Sequence, residues 1–169
     1  MNFTLRPLTI NDLGSLMKYA DNPKIADNLT NIFPNPYTEE SGRWFIKFAT
    51  SHDPKHIMAI DIKGEFVGAI GIHPQDDIMV KNAELGYWLG EPFWGKGIMT
   101  KAIKQMVKYG FENFDINRIY ARPFGSNIGS QKALEKAGFK LEGRFEKTLF
   151  KNGRYEDDLI YAMRCETDK

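Results

Sequence analysis

The segment Glu91-Pro-Phe-Trp-Gly-Lys-Gly-Ile-Met-Thr100 lies between a strand-like run and a long amphipathic pattern. Its glycines, Gly95 and Gly97, let the backbone approach a ligand, and a helix starting there points unpaired N–H groups at it. That pairing of features suits phosphate. Two nucleotide fingerprints are incomplete. A G-x-x-x-x-G-K-[ST] loop fails because Gly97 is followed by Ile98. A dinucleotide fingerprint needs a third glycine where Thr100 stands, and Asp115 comes before the next strand rather than at its end. Glycines that serve helix packing alone are the alternative.

Other reactive residues are scattered. Glu84 alternates with Gly86 and Trp88 on one face of its strand, opposite Ala83, Leu85, Tyr87 and Leu89. A carboxylate beside a small and a large residue fits a pocket floor, and it equally fits a structural salt bridge. Ser130 has no histidine in its helix to support a hydrolase triad. His52, His56 and His73 have no metal-ligand spacing, and Cys165 is far from them, so no metal is expected.

These residues are carried by 169 amino acids, most simply one domain spanning 1–169. Hydrophobic content of 42% and charged content of 27% are those of an ordinary globular protein. A net charge of +1 gives no support for nucleic acid or an anionic membrane as partner. No apolar run approaches the ~20 residues of a spanning helix. Met1-Asn-Phe-Thr-Leu-Arg-Pro lacks the basic region and apolar core of a signal peptide, and one cysteine excludes an internal disulfide framework. A cytoplasmic protein is expected, either monomeric or homodimeric.

The elements that must position the residues follow from pattern. Strands are expected at Phe3–Arg6, His56–Ile62, Phe66–Ile72, Ala83–Leu89, Arg118–Arg122, from Phe139, and at Tyr155–Arg164. Lys63-Gly64 and Asn152-Gly153 mark hairpins. Asn11 is expected to cap a helix reaching Ala20, and Thr38 one with an apolar stripe of Trp44, Phe45, Phe48 and Ala49. Residues 22–36 read as loop with at most a short helix. A long helix follows Gly97, and a last one begins after Ser126 or Asn127 and closes at Gly138. The sum is an α+β or mixed α/β domain around a mostly antiparallel sheet.

Taken in order, several pieces resemble the GCN5-related N-acetyltransferase superfamily, in particular its branch of ribosomal-protein N-terminal acetyltransferases. They are Leu5-Arg6-Pro7-Leu8, Ala83-Glu-Leu-Gly-Tyr-Trp-Leu89, Phe93-Trp-Gly-Lys-Gly-Ile-Met-Thr100, Asn127-x-x-Ser130, and Glu135-Lys-Ala-Gly-Phe139. The resemblance spans nearly the whole chain. It implies the acyl-CoA N-acyltransferase fold: about six to seven strands, splayed in the middle, with about four helices. It also implies transfer of acetyl from acetyl-CoA to an amine.

On that resemblance, Trp94, Gly95, Lys96, Gly97, Ile98, Met99 and Thr100 would hold the pyrophosphate of the cosubstrate. Pro92 stands where the family usually has Gln or Arg, which matters little if backbone does the binding. Tyr87, Trp88 and Leu89 would hold the pantetheine arm, with an N–H near Leu89 facing the thioester carbonyl. Asn127 would touch the same arm, or simply cap its helix. Glu84 would be the base for the amine. The family's usual tyrosine acid is replaced by Leu134, and Ser130 would instead hydrogen-bond the sulfur, unless it bonds only its own backbone. Phe33 and Tyr37, in the loop before the second helix, would line the acceptor pocket unless they pack in the core. Asp157 or Asp158, after the last hairpin, would be structural or meet the acceptor amine.

Two functions fit. The first is an acetyl-CoA-dependent N-acetyltransferase acting on a protein N-terminus or a small-molecule amine. The second is a non-catalytic acyl-CoA-binding or sensing domain on the same scaffold, which the missing tyrosine keeps open.

Overall fold

The structure, a computed structural model, describes residues 1–165. It runs β1 (Thr4–Arg6), α1 (Leu13–Ala20), α2 (Pro23–Ala26), α3 (Glu39–Thr50), β2 (Ile57–Ile62), β3 (Glu65–Pro74), β4 (Asn82–Leu89), α4 (Ile98–Asn113), β5 (Arg118–Ala121), α5 (Ile128–Ala137), β6 (Lys140–Lys151) and β7 (Arg154–Arg164). The seven strands form one mixed sheet in the order β1-β2-β3-β4-β5-β7-β6. β4 and β5 are parallel, Asn82 to Glu84 lying against Arg118 to Tyr120. A parallel pair needs a crossover rather than a tight turn, and α4 supplies it. The described residues hold five α-helices, the loop over 22–36 adding the single-turn α2 to the about four expected.

The chain divides into two units. The first comprises Met1–Gly71 and Tyr87–Ile98. Its β2–β3 hairpin turns at Lys63 and Gly64, with φ of 54° and 86°, the left-handed pair a two-residue hairpin requires. Arg6 binds the buried Asp12 at 2.7 Å and the buried Asp61 at 2.8 Å, joining β1, the start of α1 and β2. Asp12 also accepts the Thr9 N–H at 2.8 Å. Thr9 and Asp12 therefore make the cap expected of Asn11, on a short 3-10 turn that precedes α1. The reciprocal box satisfies more of the orphan N–H groups than one Asn side chain does.

Thr38 caps α3 as expected, accepting the Ser41 N–H at 3.2 Å. The buried face of α3 differs: Gly42, Ile46 and Ala49 point inward, while Trp44 and Phe48 are exposed and stack at 5.3 Å. At Gly42, a Cβ would stand 2.7 Å from Leu13 Cδ1, so the helices meet on the smallest side chain. Ala49 sits on both candidate stripes, and close helix approach selected the one with glycine.

The second unit comprises Ile72–Gly86 and the described residues from Met99. In α4, Ala102, Ile103, Met106 and Val107 are buried at helical spacing. Asn127 caps α5 by accepting the Ser130 N–H at 3.1 Å, and Gly138 ends it with φ of 106°. Asn152 and Gly153, with φ of 50° and 76°, form the expected β6–β7 turn.

One close approach in the first unit controls the end of β4. A Cβ at Gly68 would lie 2.5 Å from the Trp88 carbonyl oxygen and 3.0 Å from Leu89 Cα. Both obstacles are backbone, so they cannot rotate away. Gly68→Ala is expected to cost about 2 kcal/mol of stability through forced separation of the strands, read as a lower urea midpoint with an unchanged m value.

Candidate active site

The end of β4 is pinned from several sides within the first unit. The Trp94 indole N–H donates to the Leu89 carbonyl at 2.6 Å, and the Gly90 N–H donates to the Val67 carbonyl at 2.8 Å. Glu91, in the 3-10 turn Glu91–Phe93, accepts from Asn22 at 2.8 Å and pairs with Lys24. Phe93 meets Tyr19 edge-on at 5.5 Å. Gly95 and Gly97 both have φ of 71°, a conformation unfavourable for other residues. Neither would bring an added Cβ within 4 Å of other atoms, so backbone conformation, not crowding, demands glycine. The turn leads straight into α4, an arrangement that fits an anionic phosphate.

Lys96 is exposed, donates to the Pro92 carbonyl at 2.7 Å and lies over the Phe93 ring. Its ammonium thus folds back on its own turn. Ile98 is buried as the anchor of the helix start, with Met99 and Thr100 half-buried after it.

Glu84, in the second unit, is half-buried opposite Tyr120 in the parallel register. Burial raises its carboxyl above the ordinary range; Arg122 opposes that rise, Asp158 adds to it, and a hydrogen bond with Tyr120 opposes it. Arg122 itself is held by the buried Asp158, through Nε at 3.2 Å and through Nη2. Burial and the Glu84 charge likewise raise the Tyr120 hydroxyl. A half-buried carboxyl with a raised pKa holds a proton more firmly than a free one, which suits a general base. Tyr120 and Arg122 were not singled out in the sequence, because their link to Glu84 is a strand register.

Along β4, half-buried and buried residues alternate as far as Gly86. Trp88 is buried against Phe66 at 5.7 Å and Phe33 at 5.8 Å. Tyr87 is half-buried, while Trp88 and Leu89 are buried in succession. Phe33 is half-buried and packs on Tyr37 at 5.3 Å. Tyr37 is buried, and desolvation pushes its hydroxyl up to about 12.

Asn127 and Ser130 are brought together by the cap, both half-buried at the start of α5. Leu134 is fully buried. Asp157 binds Arg144 at 2.5 Å and the Lys147 N–H at 2.9 Å, whereas Asp158 takes Arg122. The described residues contain no group of three or more His, Cys, Asp or Glu able to hold a metal, and no helix long and apolar enough to cross a membrane.

Comparison with known proteins agrees with this geometry. The acetyltransferase (GNAT) domain model matches residues 2–140. YdaF of Bacillus subtilis, named as a candidate ribosomal N-acetyltransferase, is 31% identical over 89% of this chain and 77% of its own length. RimJ of Mycobacterium smegmatis, solved with CoA-disulfide, superposes with a TM-score of 0.80 at 25% identity, over 96% of this chain and 81% of that one. The microcin C7 self-immunity acetyltransferase MccE, solved with acetyl-CoA and AMP, gives a TM-score of 0.80 at 26% identity, over 96% and 92% of the two chains. This chain belongs to the GNAT acetyltransferase family, in its RimJ/RimL-like branch.

Proposed function

We propose that residues 1–169 form a single cytoplasmic acetyltransferase domain that moves the acetyl group of acetyl-CoA to a primary amine. The acceptor is a protein N-terminal α-amine or a small-molecule amine, and no metal takes part. The observation that carries this reading is the turn at Gly95 and Gly97. Two exposed glycines with left-handed backbone lead into α4, in a chain of the acetyltransferase family.

In this reading Trp94 to Thr100 bind the pyrophosphate through main-chain N–H groups, with the α4 dipole favouring the negative charge. Tyr87 to Leu89 and Asn127 hold the pantetheine arm, and a main-chain N–H near Leu89 stabilises the carbonyl oxygen as charge develops on it. The neutral amine attacks the thioester carbonyl carbon, a C–N bond forms, and the C–S bond breaks. The amine proton passes to Glu84, directly or through water, and the departing sulfur takes a hydrogen bond from the Ser130 hydroxyl. Phe33 borders the acceptor side, with Tyr37 supporting it from below through their ring contact.

Three outcomes test this. Acetyl-CoA at about a hundred times its Kd should stabilise the protein by about 2.7 kcal/mol in a thermal shift, and no shift at high concentration refutes both the transferase and the acyl-CoA-binding readings. Gly97→Ala should weaken acetyl-CoA in the same assay and lower stability by about 1–2 kcal/mol, because the new Cβ disfavours its backbone angle. Thiol release measured with a panel of amines and N-terminal peptides then separates the readings; binding without turnover on any amine favours the sensing domain.

Glu84→Gln should lower kcat/KM by about a hundredfold with little change in acetyl-CoA binding. In the wild type, kcat/KM should fall with acid through a pKa above the ordinary carboxylate range, and the variant should lose that limb. The stability effect has the opposite sign. A raised folded pKa favours the protonated group, so Glu84's contribution is full below its unfolded pKa and is lost as pH rises through the folded one. The glutamine variant should therefore melt no lower than wild type at pH 7, with any advantage vanishing in acid.

A further inference from the structure

The face of β4 that carries Glu84 is polar, and Tyr120 on the next strand has no part in the steps assigned so far. Asn82, Glu84 and Gly86 are half-buried and alternate with the buried Ala83 and Leu85. On β5, Arg118 and Tyr120 are half-buried and alternate with the buried Ile119 and Ala121. The parallel register sets Asn82 against Arg118 and Glu84 against Tyr120. Arg118 is braced by two partners, donating to Asn82 Oδ1 at 2.8 Å and to Glu142 Oε2 at 2.6 Å. Its guanidinium carbon stands 4.9 Å from the centre of the Tyr120 ring, so the ring packs against a fixed cation. The Tyr120 hydroxyl reaches Glu84 in a hydrogen bond. Burial, with the Glu84 charge, raises that hydroxyl, so it keeps its proton and is the donor. Arg122, with Nε and Nη2 turned to Asp158, acts on Glu84 through its charge. His73 of β3 is a further titratable group here, its Nε2 3.8 Å from where a Cβ on Gly86 would stand.

We propose that Tyr120 is a positioning residue for the transfer: its hydroxyl occupies one oxygen of Glu84 and directs the other to the acceptor amine. This rests on the reading of Glu84 as the base. An ionised carboxylate has two equivalent oxygens and a broad terminal torsion, so alone it presents no fixed lone pair. A donor of fixed direction removes that freedom, and the ring held against Arg118 fixes the direction. The proton lost by the amine goes to the free oxygen of Glu84, and Tyr120 keeps its own throughout. The same hydrogen bond favours the ionised carboxyl, against the effect of burial, and so keeps the base available.

Tyr120→Phe tests this, because it keeps the ring beside Arg118 and removes only the hydroxyl. With an amine that the wild type acetylates, kcat/KM should fall about tenfold while KM for acetyl-CoA stays unchanged. Carbon-13 NMR of the Glu84 carboxyl in the full chain, its signal identified by Glu84→Gln, gives a second readout that needs no acceptor. Loss of a donor to the charged form should raise the pH at which Glu84 titrates. Reading Glu84 itself keeps its titration separate from that of His73. Circular dichroism and melting check that the variant is folded. A residue that only fills space predicts a phenylalanine variant equal to wild type. Wild-type kcat/KM in Tyr120→Phe, or a Glu84 midpoint that does not rise, overturns the proposal. If Glu84→Gln is impaired while Tyr120→Phe is not, this inference alone fails. If Glu84→Gln turns over like wild type, the base assignment fails and takes this inference with it.

Discussion

The pairing of β4 with β5 is the constraint on which the candidate site depends. Two strands lying in the same direction must be joined by a segment that travels back the length of the sheet. Here that segment is α4, and the turn that starts it carries Gly95 and Gly97. The parallel register also sets Glu84 opposite Tyr120. One topological requirement therefore accounts for the helix start, the two glycines before it and the environment of the half-buried carboxyl. A tight antiparallel hairpin after β4 would have supplied none of these.

The electrostatics around Glu84 show why a nearby arginine does not by itself make a carboxyl more acidic. Arg122 is hydrogen-bonded to Asp158, which is buried and brings its own negative charge. Glu84 therefore meets the loss of water first, then the Arg122 charge, which the Asp158 charge in part offsets. Burial then prevails over Arg122 and over the Tyr120 hydrogen bond. The same ion pair supports the backbone: Asp158 faces Phe124 in an isolated bridge, which ties the chain entering α5 to β7.

Features governed by neighbouring residues were legible in the sequence. Lys63-Gly64, Asn152-Gly153, Thr38, Asn127 and Gly138 act within a few positions of chain, and all took the expected turn or cap geometry. The sheet of mixed helices and strands followed from their order, as did the family. Features decided by distant packing were hidden. Periodicity showed that α3 has apolar positions but not that Gly42, pressed against Leu13, would turn Trp44 and Phe48 outward. Alternation along β4 likewise did not show that the rings of Phe33 and Phe66 enclose Trp88. Tyr120, Arg122 and Asp158 reach Glu84 through a register that no local pattern records.

Asn127 carries a restriction on which amino acids the position can accept. Its side-chain oxygen is oriented onto the Ser130 N–H, which turns the amide nitrogen, with its two hydrogens, the other way. Aspartate would keep the cap but offer no hydrogen, and serine or threonine would cap with the single hydroxyl that must also do any donating. Among the good capping residues, asparagine alone divides acceptor and donor between two atoms. Whatever chain lies beside the start of α5 is therefore met by a donor of fixed direction, suited to the carbonyl oxygens of an amide-containing molecule.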